Sequence, residues 1–297
     1  MTVVLLSGRT GQVGSELYRL LPALGRVIAP ARAQMDLASA DAIRKTIREA
    51  SPGIIVNAAG YTAVDQAEAE PELAMRVNGV APGVMAEEAR RSGALLVHYS
   101  TDYVFDGTRA APYVEEDEPN PLNVYGKSKL AGELAVAASG CAHLILRTSW
   151  VYSGSGANFL LTILKLAREN EELRVVDDQI GSPTWARALA KATVELLQKA
   201  ALARDTTGVY HLSSTEVASR YDFARAIVEI ARELSRKNTG WASLRRIRTE
   251  EYPLPAVRPR HPATSKAKIK RVFGAELPDW KAQLRACLRE VMQIENR

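Results

Sequence analysis

The chain has only two cysteines in 297 residues, Cys141 and Cys287. Two cysteines cannot make a disulfide framework, and with no others near them they offer no thiolate metal site, so a reducing compartment, the cytoplasm, is expected. Long apolar runs are also missing: no stretch approaches the roughly 18 residues of a membrane span, which argues against a membrane partner. The opening "MTVVLLSGRTGQVG" has no basic segment ahead of its apolar run, so no signal peptide is expected. The basic segments "SLRRIR" and "VRPRHPATSKAKIKR" (257–271) lack interleaved aromatics and accompany no binding motif, which argues against a nucleic-acid partner. Repeats and low-complexity tracts are absent.

The chain is long enough for one large domain or two smaller ones. Its net charge of +5 comes from 39 basic and 34 acidic residues, with much of the excess late in the sequence. A solvated basic face is the plain reading; a site for an anionic substrate is the sharper one.

Continuous apolar runs alternate with helical patterns in the first half. "VVLLSG", "RVIAP", "GIIVNAA" (53–59), "ALLVHYS" (94–100) and "HLILRTSWVY" (143–152) read as buried strands. Helices are expected from about Gln12 to Leu21, in a segment capped by Asp41, and in one long stretch through Ala74, Val77, Val84 and Ala89. This alternation predicts an α/β fold: a doubly wound parallel sheet of Rossmann type, with a smaller mixed C-terminal substrate domain. The expected division is 1–150 for the dinucleotide-binding domain, with 173–201 returning to it, and 151–172 with 202–297 for the substrate domain.

"SGRTGQVG" places Gly8, Gly11 and Gly14 directly after a strand, opening a helix. Such a turn tolerates positive φ, lets the backbone approach a pyrophosphate and presents the helix N-terminal N–H groups. The second strand ends "IAPAR" with no acid to hold a ribose 2′-hydroxyl, whereas Arg32 lies close by and Arg9 sits inside the loop. Two arginines there favour NADPH, with NADH left open. Asp36 could instead reach the adenosine end.

"YSTDYVFDG" follows the end of a strand, where an open parallel sheet has its ligand crevice, and so puts Thr101 and Asp102 at a site. "NVYGKSK" sets Tyr125 and Lys129 four residues apart, on one face of the next helix. Carbonyl reduction needs a proton delivered to oxygen as hydride reaches carbon. A tyrosine with a nearby ammonium suits that task, and Thr101 could hold the carbonyl oxygen beside the phenol.

These residues carry a resemblance. "GRTGQVG", "NAAGYTAVDQAE", "YSTDYVFDG", "NVYGKSKLAGE", "RTSWVY" and "DQIGSPT" stand in the order and spacing of the dTDP-4-dehydrorhamnose reductase family, a branch of the extended short-chain dehydrogenases/reductases. The resemblance covers nearly all of residues 1–190 and then weakens. It implies a catalytic set of Thr101, Tyr125 and Lys129, with Tyr125 as the acid. It places Gly11, Gln12, Val13, Asp36, Leu37, Gly60, Tyr61, Thr62 and Tyr99 along the cofactor, together with Tyr125 and Lys129. Asp102 and Trp150 become substrate contacts, joined by Val64 and Asp65, although Trp150 could equally be a core aromatic. The implied reaction reduces the 4-keto group of a dTDP-sugar, and Arg258 in "AVRPRHP" is the candidate for its diphosphate.

The chain departs from the family pattern at "RPRHPATSK", where a polar Ser or Asn usually follows "RP". Some relatives are associated with magnesium at a dimer contact; here Arg187 stands where a carboxylate would help, so no metal is expected, while a homodimer stays open. The rival readings are an NAD(P)-dependent reductase or epimerase of another sugar nucleotide, an NAD-retaining epimerase or dehydratase of the same superfamily, and a non-catalytic regulatory subunit on the same scaffold.

Overall fold

Period-two burial builds the sheet. In β1 (Val3–Ser7), Val4 and Leu6 enter one core and Leu5 the other. After β2 (Arg26–Ile28) and β3 (Ile54–Asn57), the alternation recurs in β4 (Leu95–Thr101), which sends Val97 one way and Leu96 the other. In β5 (His143–Thr148), Leu144 and Leu146 oppose Ile145, and β6 (Gly208–His211) completes the sheet. The order is β2-β1-β3-β4-β5-β6, all parallel, in this computed structural model, which describes residues 2–200, 206–235 and 240–295.

Parallel neighbours need crossovers, and these cover both faces. Leu17 of α1 (Gln12–Leu20) packs on the Val4–Leu6 face, while α2 (Ala40–Ala50), α3 (Ala81–Ser92) and α4 (Val124–Ser139) cover the other with Ile43, Ile47, Val84, Met85 and Val136. Leu189 and Leu196 of α5 (Ala186–Ala200) join the α1 face. Because β2 and β3 lie on opposite sides of β1, the chain reverses its winding there and a crevice opens at the strands' carboxyl ends.

A second core lies between the helix Phe159–Glu169, α6 (Arg220–Leu234), the helix Trp280–Glu295 and the parallel pair Glu172–Val176 with Ser243–Ile247. Phe223 sits at its centre, stacked on Phe159 at 5.6 Å and edge-on to Trp280 at 5.9 Å. Truncating such a residue to alanine costs about 3–5 kcal/mol. Among the described residues, no helix is long and apolar enough to cross a membrane.

Several segments differ from the expected layout. Gly208–His211, expected in the smaller domain, pairs with β5 because Tyr210 and Leu212 fill the main core, where Ile269 and Phe273 join them. Of 173–201, only α5 returns to the main sheet; Leu173 and Val175 alternate into the second core. The long helix through Ala74 and Ala89 is interrupted by a π-turn at Arg76–Val80. Pro82 has no N–H for the carbonyl of Asn78, and a wider turn absorbs the mismatch. Ser39 caps α2, accepting from the Ala42 N–H at 3.3 Å, and Asp41 sits in the first turn instead. The strand expected over 143–152 breaks at Trp150, whose φ of 42° lies in the left-handed region.

Candidate active site

The turn after β1 is pressed against the end of β3. Gly8 has φ +78°, and a Cβ on it would lie 2.7 Å from the Ala59 nitrogen; one on Gly14 would lie 1.9 Å from the Gly8 oxygen. Only glycine permits this approach. Gly14 itself is buried behind the loop, while Gly8, Arg9, Gly11, Gln12 and Val13 line a cleft of about 1670 Å³. Arg32, Asp36, Leu37, Gly60, Tyr61 and Thr62 line the same cleft. Gln12 Oε1, Ser100 Oγ and Thr148 Oγ1 are buried on its wall without hydrogen-bond partners, so polar acceptors and donors wait along a glycine-lined trough. These residues fit a dinucleotide.

Asn78, in the π-turn, clamps the loop after β3. It accepts from the Tyr61 N–H at 2.8 Å and donates to the Tyr61 oxygen at 2.9 Å and to Ser128 at 3.0 Å. Tyr61 donates its hydroxyl to Glu70 at 2.7 Å, and burial with that carboxylate pushes its pKa up to about 12. The Tyr99 hydroxyl faces Thr193 at 2.6 Å, so its ring lines the cleft while its polar end is already engaged.

Thr101, Tyr125 and Lys129 all line this cleft. Thr101 ends β4 and caps the following turn, accepting from the Tyr103 N–H at 3.1 Å. Asn123 caps α4, accepting from the Gly126 N–H at 2.8 Å. Gly126 lets that helix start close to the turn, since a Cβ there would lie 2.3 Å from the Tyr103 oxygen. The approach puts the Tyr125 phenol beside the Thr101 hydroxyl and edge-on to Tyr103, with rings 5.8 Å apart. Burial pushes the Tyr125 pKa well up, with Thr101 working the other way.

Lys129 departs from the simple acid–ammonium picture. Its Nζ donates to the Tyr99 carbonyl at 2.5 Å and lies 3.4 Å from His98 Nε2. Burial lowers its pKa to about 8. A buried polar chain runs on from His98 to Asn57, 3.0 Å away, and to Ser7, which donates to Asn57 at 2.7 Å. Burial holds His98 neutral, well below the usual histidine range. Sequence reading missed Ser7, Asn57 and His98; as single polar residues inside apolar strands, they show only as interruptions of the period.

Asp102 is buried, receiving the Thr101 hydroxyl at 3.1 Å and the Ser149 hydroxyl at 2.6 Å; burial raises its pKa to about 6. Val64 and Trp150 line the same cleft. Asp65 does not line the cleft. It forms a forked ion pair with Arg258, at 2.6 and 2.8 Å, which holds its carboxyl below the usual range. Two residues expected to meet substrate separately therefore bind each other, although Arg258 still reaches the cleft wall. Arg187, which stands where a carboxylate would help to hold a metal, pairs with Glu16 at 3.0 Å and with Glu290, so a guanidinium already balances those carboxylates. Among the described residues, no group of three or more His, Cys, Asp or Glu could hold a metal.

A parallel sheet reversing at β1, a glycine turn at the carboxyl end of that strand and a Thr–Tyr–Lys set from the end of β4 and the start of α4 define a Rossmann-type protein of the extended short-chain dehydrogenase/reductase class. A family model described as the RmlD substrate binding domain matches residues 1–293. A dTDP-4-dehydrorhamnose reductase of Burkholderia thailandensis is 45% identical over 294 residues, covering 97% of this chain and 99% of that protein. The crystal structure of a dTDP-4-dehydrorhamnose reductase from Clostridium acetobutylicum superposes with a TM-score of 0.90 at 33% identity, covering 98% of this chain and 99% of that one. The enzyme of the same name from Bacillus anthracis, solved in complex with NADP, gives 0.89 at 34% identity, covering 97% and 99%. The chain belongs to the dTDP-4-dehydrorhamnose reductase family.

Proposed function

We propose that this protein reduces the 4-keto group of dTDP-6-deoxy-L-lyxo-4-hexulose with NADPH, giving dTDP-L-rhamnose, with Tyr125 as proton donor. The observation that carries this reading is the convergence of Thr101, Tyr125 and Lys129 in the cleft that begins at the glycine turn. The orphaned Gln12, Ser100 and Thr148 atoms support a dinucleotide along that wall, and Arg9 and Arg32, exposed at its mouth, support the 2′-phosphate form.

Bound NADPH supplies the hydride. Tyr125 must enter the reaction protonated, and a raised pKa keeps it so near neutral pH. As its proton moves to the substrate oxygen, the developing phenolate is favoured by the positive field of Lys129. Lys129 is fixed for that role by the Tyr99 carbonyl and the His98 ring. Asp102 orients the Thr101 hydroxyl, and with Ser149 also bonded to it, its carboxylate is poorly placed for the acid–base work of a dehydratase.

The test generates the keto sugar in place from dTDP-glucose with the upstream enzymes and follows nicotinamide absorbance. NADPH oxidation requiring both this protein and that sugar, with dTDP-L-rhamnose as product, is expected. No oxidation with NADPH or NADH, by folded protein that still binds cofactor, overturns the reading.

A further inference from the structure

One cation at the substrate end of the cleft has no carboxylate of its own. Arg258 is neutralised by Asp65, but among the described residues Arg220 has no acidic group within ion-pair distance. Its guanidinium lies 3.6 Å over the Trp150 ring and 5.1 Å from the Phe159 ring, and it interacts with Tyr103. It lines the cleft together with Trp150, Phe159, Tyr103 and Arg258.

The position is a poor one for a cation kept only for stability. Arg220 is the first residue of α6, at the positive end of that helix. A second guanidinium, Arg258, also acts electrostatically on Tyr103. Asp102 supplies some opposite charge, but its carboxylate is already engaged by two hydroxyls. The placement becomes favourable once an anion arrives between the two arginines.

The support under Arg220 is rigid. Trp150 is held at its left-handed φ against Gly181, where a Cβ would lie 2.3 Å from the indole Cε2. Gly181 and the Arg220 guanidinium both press on the indole. A guanidinium stacked by its face keeps its N–H edges free, and that planar fork matches phosphate oxygens.

We propose that Arg220, braced on Trp150 and acting with Arg258 in the same cleft, is an anion ligand for the 5′-diphosphate of a nucleotide-sugar substrate. The assignment rests on the reading that the substrate is a nucleotide sugar. It makes Trp150 primarily the platform for Arg220, with only its remaining edge left to the sugar.

Calorimetric titration of the full chain with thymidine, dTMP and dTDP tests it, using wild type, Arg220→Met and Arg220→Lys. Wild-type affinity is expected to rise with each phosphate. Arg220→Met is expected to lose about tenfold to a hundredfold for dTDP, with thymidine and NADPH binding and the thermal midpoint unchanged. Arg220→Lys restores part of the loss, since charge returns without the fork. Unchanged dTDP affinity in Arg220→Met overturns the proposal. An equal loss for thymidine also overturns it, because Arg220 would then act only as packing under Trp150. If thymidine nucleotides fail to bind but UDP binds in an Arg220-dependent way, the anion ligand stands and the dTDP reading falls.

Discussion

Gly14→Ala puts the cofactor trough under a defined load. The added Cβ would lie 1.9 Å from the Gly8 oxygen and 2.6 Å from the Gly8 carbonyl carbon, both main-chain atoms. A carbon–oxygen contact becomes comfortable only beyond about 3.3 Å, so α1 and the loop must separate by roughly 1.4 Å. Overpacking of this kind costs about 1–3 kcal/mol and lowers the thermal midpoint by roughly 5 °C. The same displacement moves the loop N–H groups off the pyrophosphate, and losing about 1.5–3 kcal/mol of that contact raises the NADPH dissociation constant about tenfold to a hundredfold. Gly11→Ala is the control for stability, because its Cβ would meet only the Gly8 oxygen at 3.3 Å. Its thermal midpoint is expected near wild type. Fluorescence titration with NADPH and thermal melts of both variants decide the matter. Wild-type cofactor binding and stability in Gly14→Ala, or equal destabilisation in Gly11→Ala, would refute the reasoning.

The rate should also respond to pH through Lys129. Burial lowers its pKa to about 8, so the ammonium is lost as pH rises through that value, and about one unit higher roughly a tenth of the charge remains. At saturating substrate, kcat is expected to fall by about tenfold per unit on the alkaline side; a profile flat to about pH 10 would count against a charged Lys129 in turnover. Gly181→Ala drives a Cβ to within 2.3 Å of the Trp150 indole and must displace it. It should raise KM for the sugar nucleotide several-fold while leaving NADPH affinity unchanged, and a shift in cofactor affinity instead would mean that Trp150 serves the wrong half of the cleft.

The legible parts of the sequence were those whose chemistry is local. The glycine spacing after β1, Thr101 with Asp102 at the end of β4, and Tyr125 with Lys129 one helical turn apart each carry their geometry within a few residues. The sheet was readable because its strands are buried on both faces. The Asp65–Arg258 pair was not, since its partners lie 193 residues apart and meet only when the C-terminal loop returns to the cleft. Arg220 gave no signal, being one arginine at the start of an ordinary amphipathic helix. The π-turn at Arg76–Val80 was hidden because the apolar period continues through it, with Pro82 the available hint. Trp150 looked like the continuation of a strand, because a left-handed φ at a non-glycine residue leaves no mark in composition.

The central claim is that the Tyr125 phenol delivers the proton. Tyr125→Phe removes the hydroxyl and keeps the ring that meets Tyr103 edge-on. The direct measurement is single-turnover NADPH oxidation by this variant with the keto sugar, alongside cofactor binding. Loss of at least about a hundredfold in rate, with NADPH affinity near wild type, is the predicted result. Near-wild-type turnover by Tyr125→Phe would contradict the account.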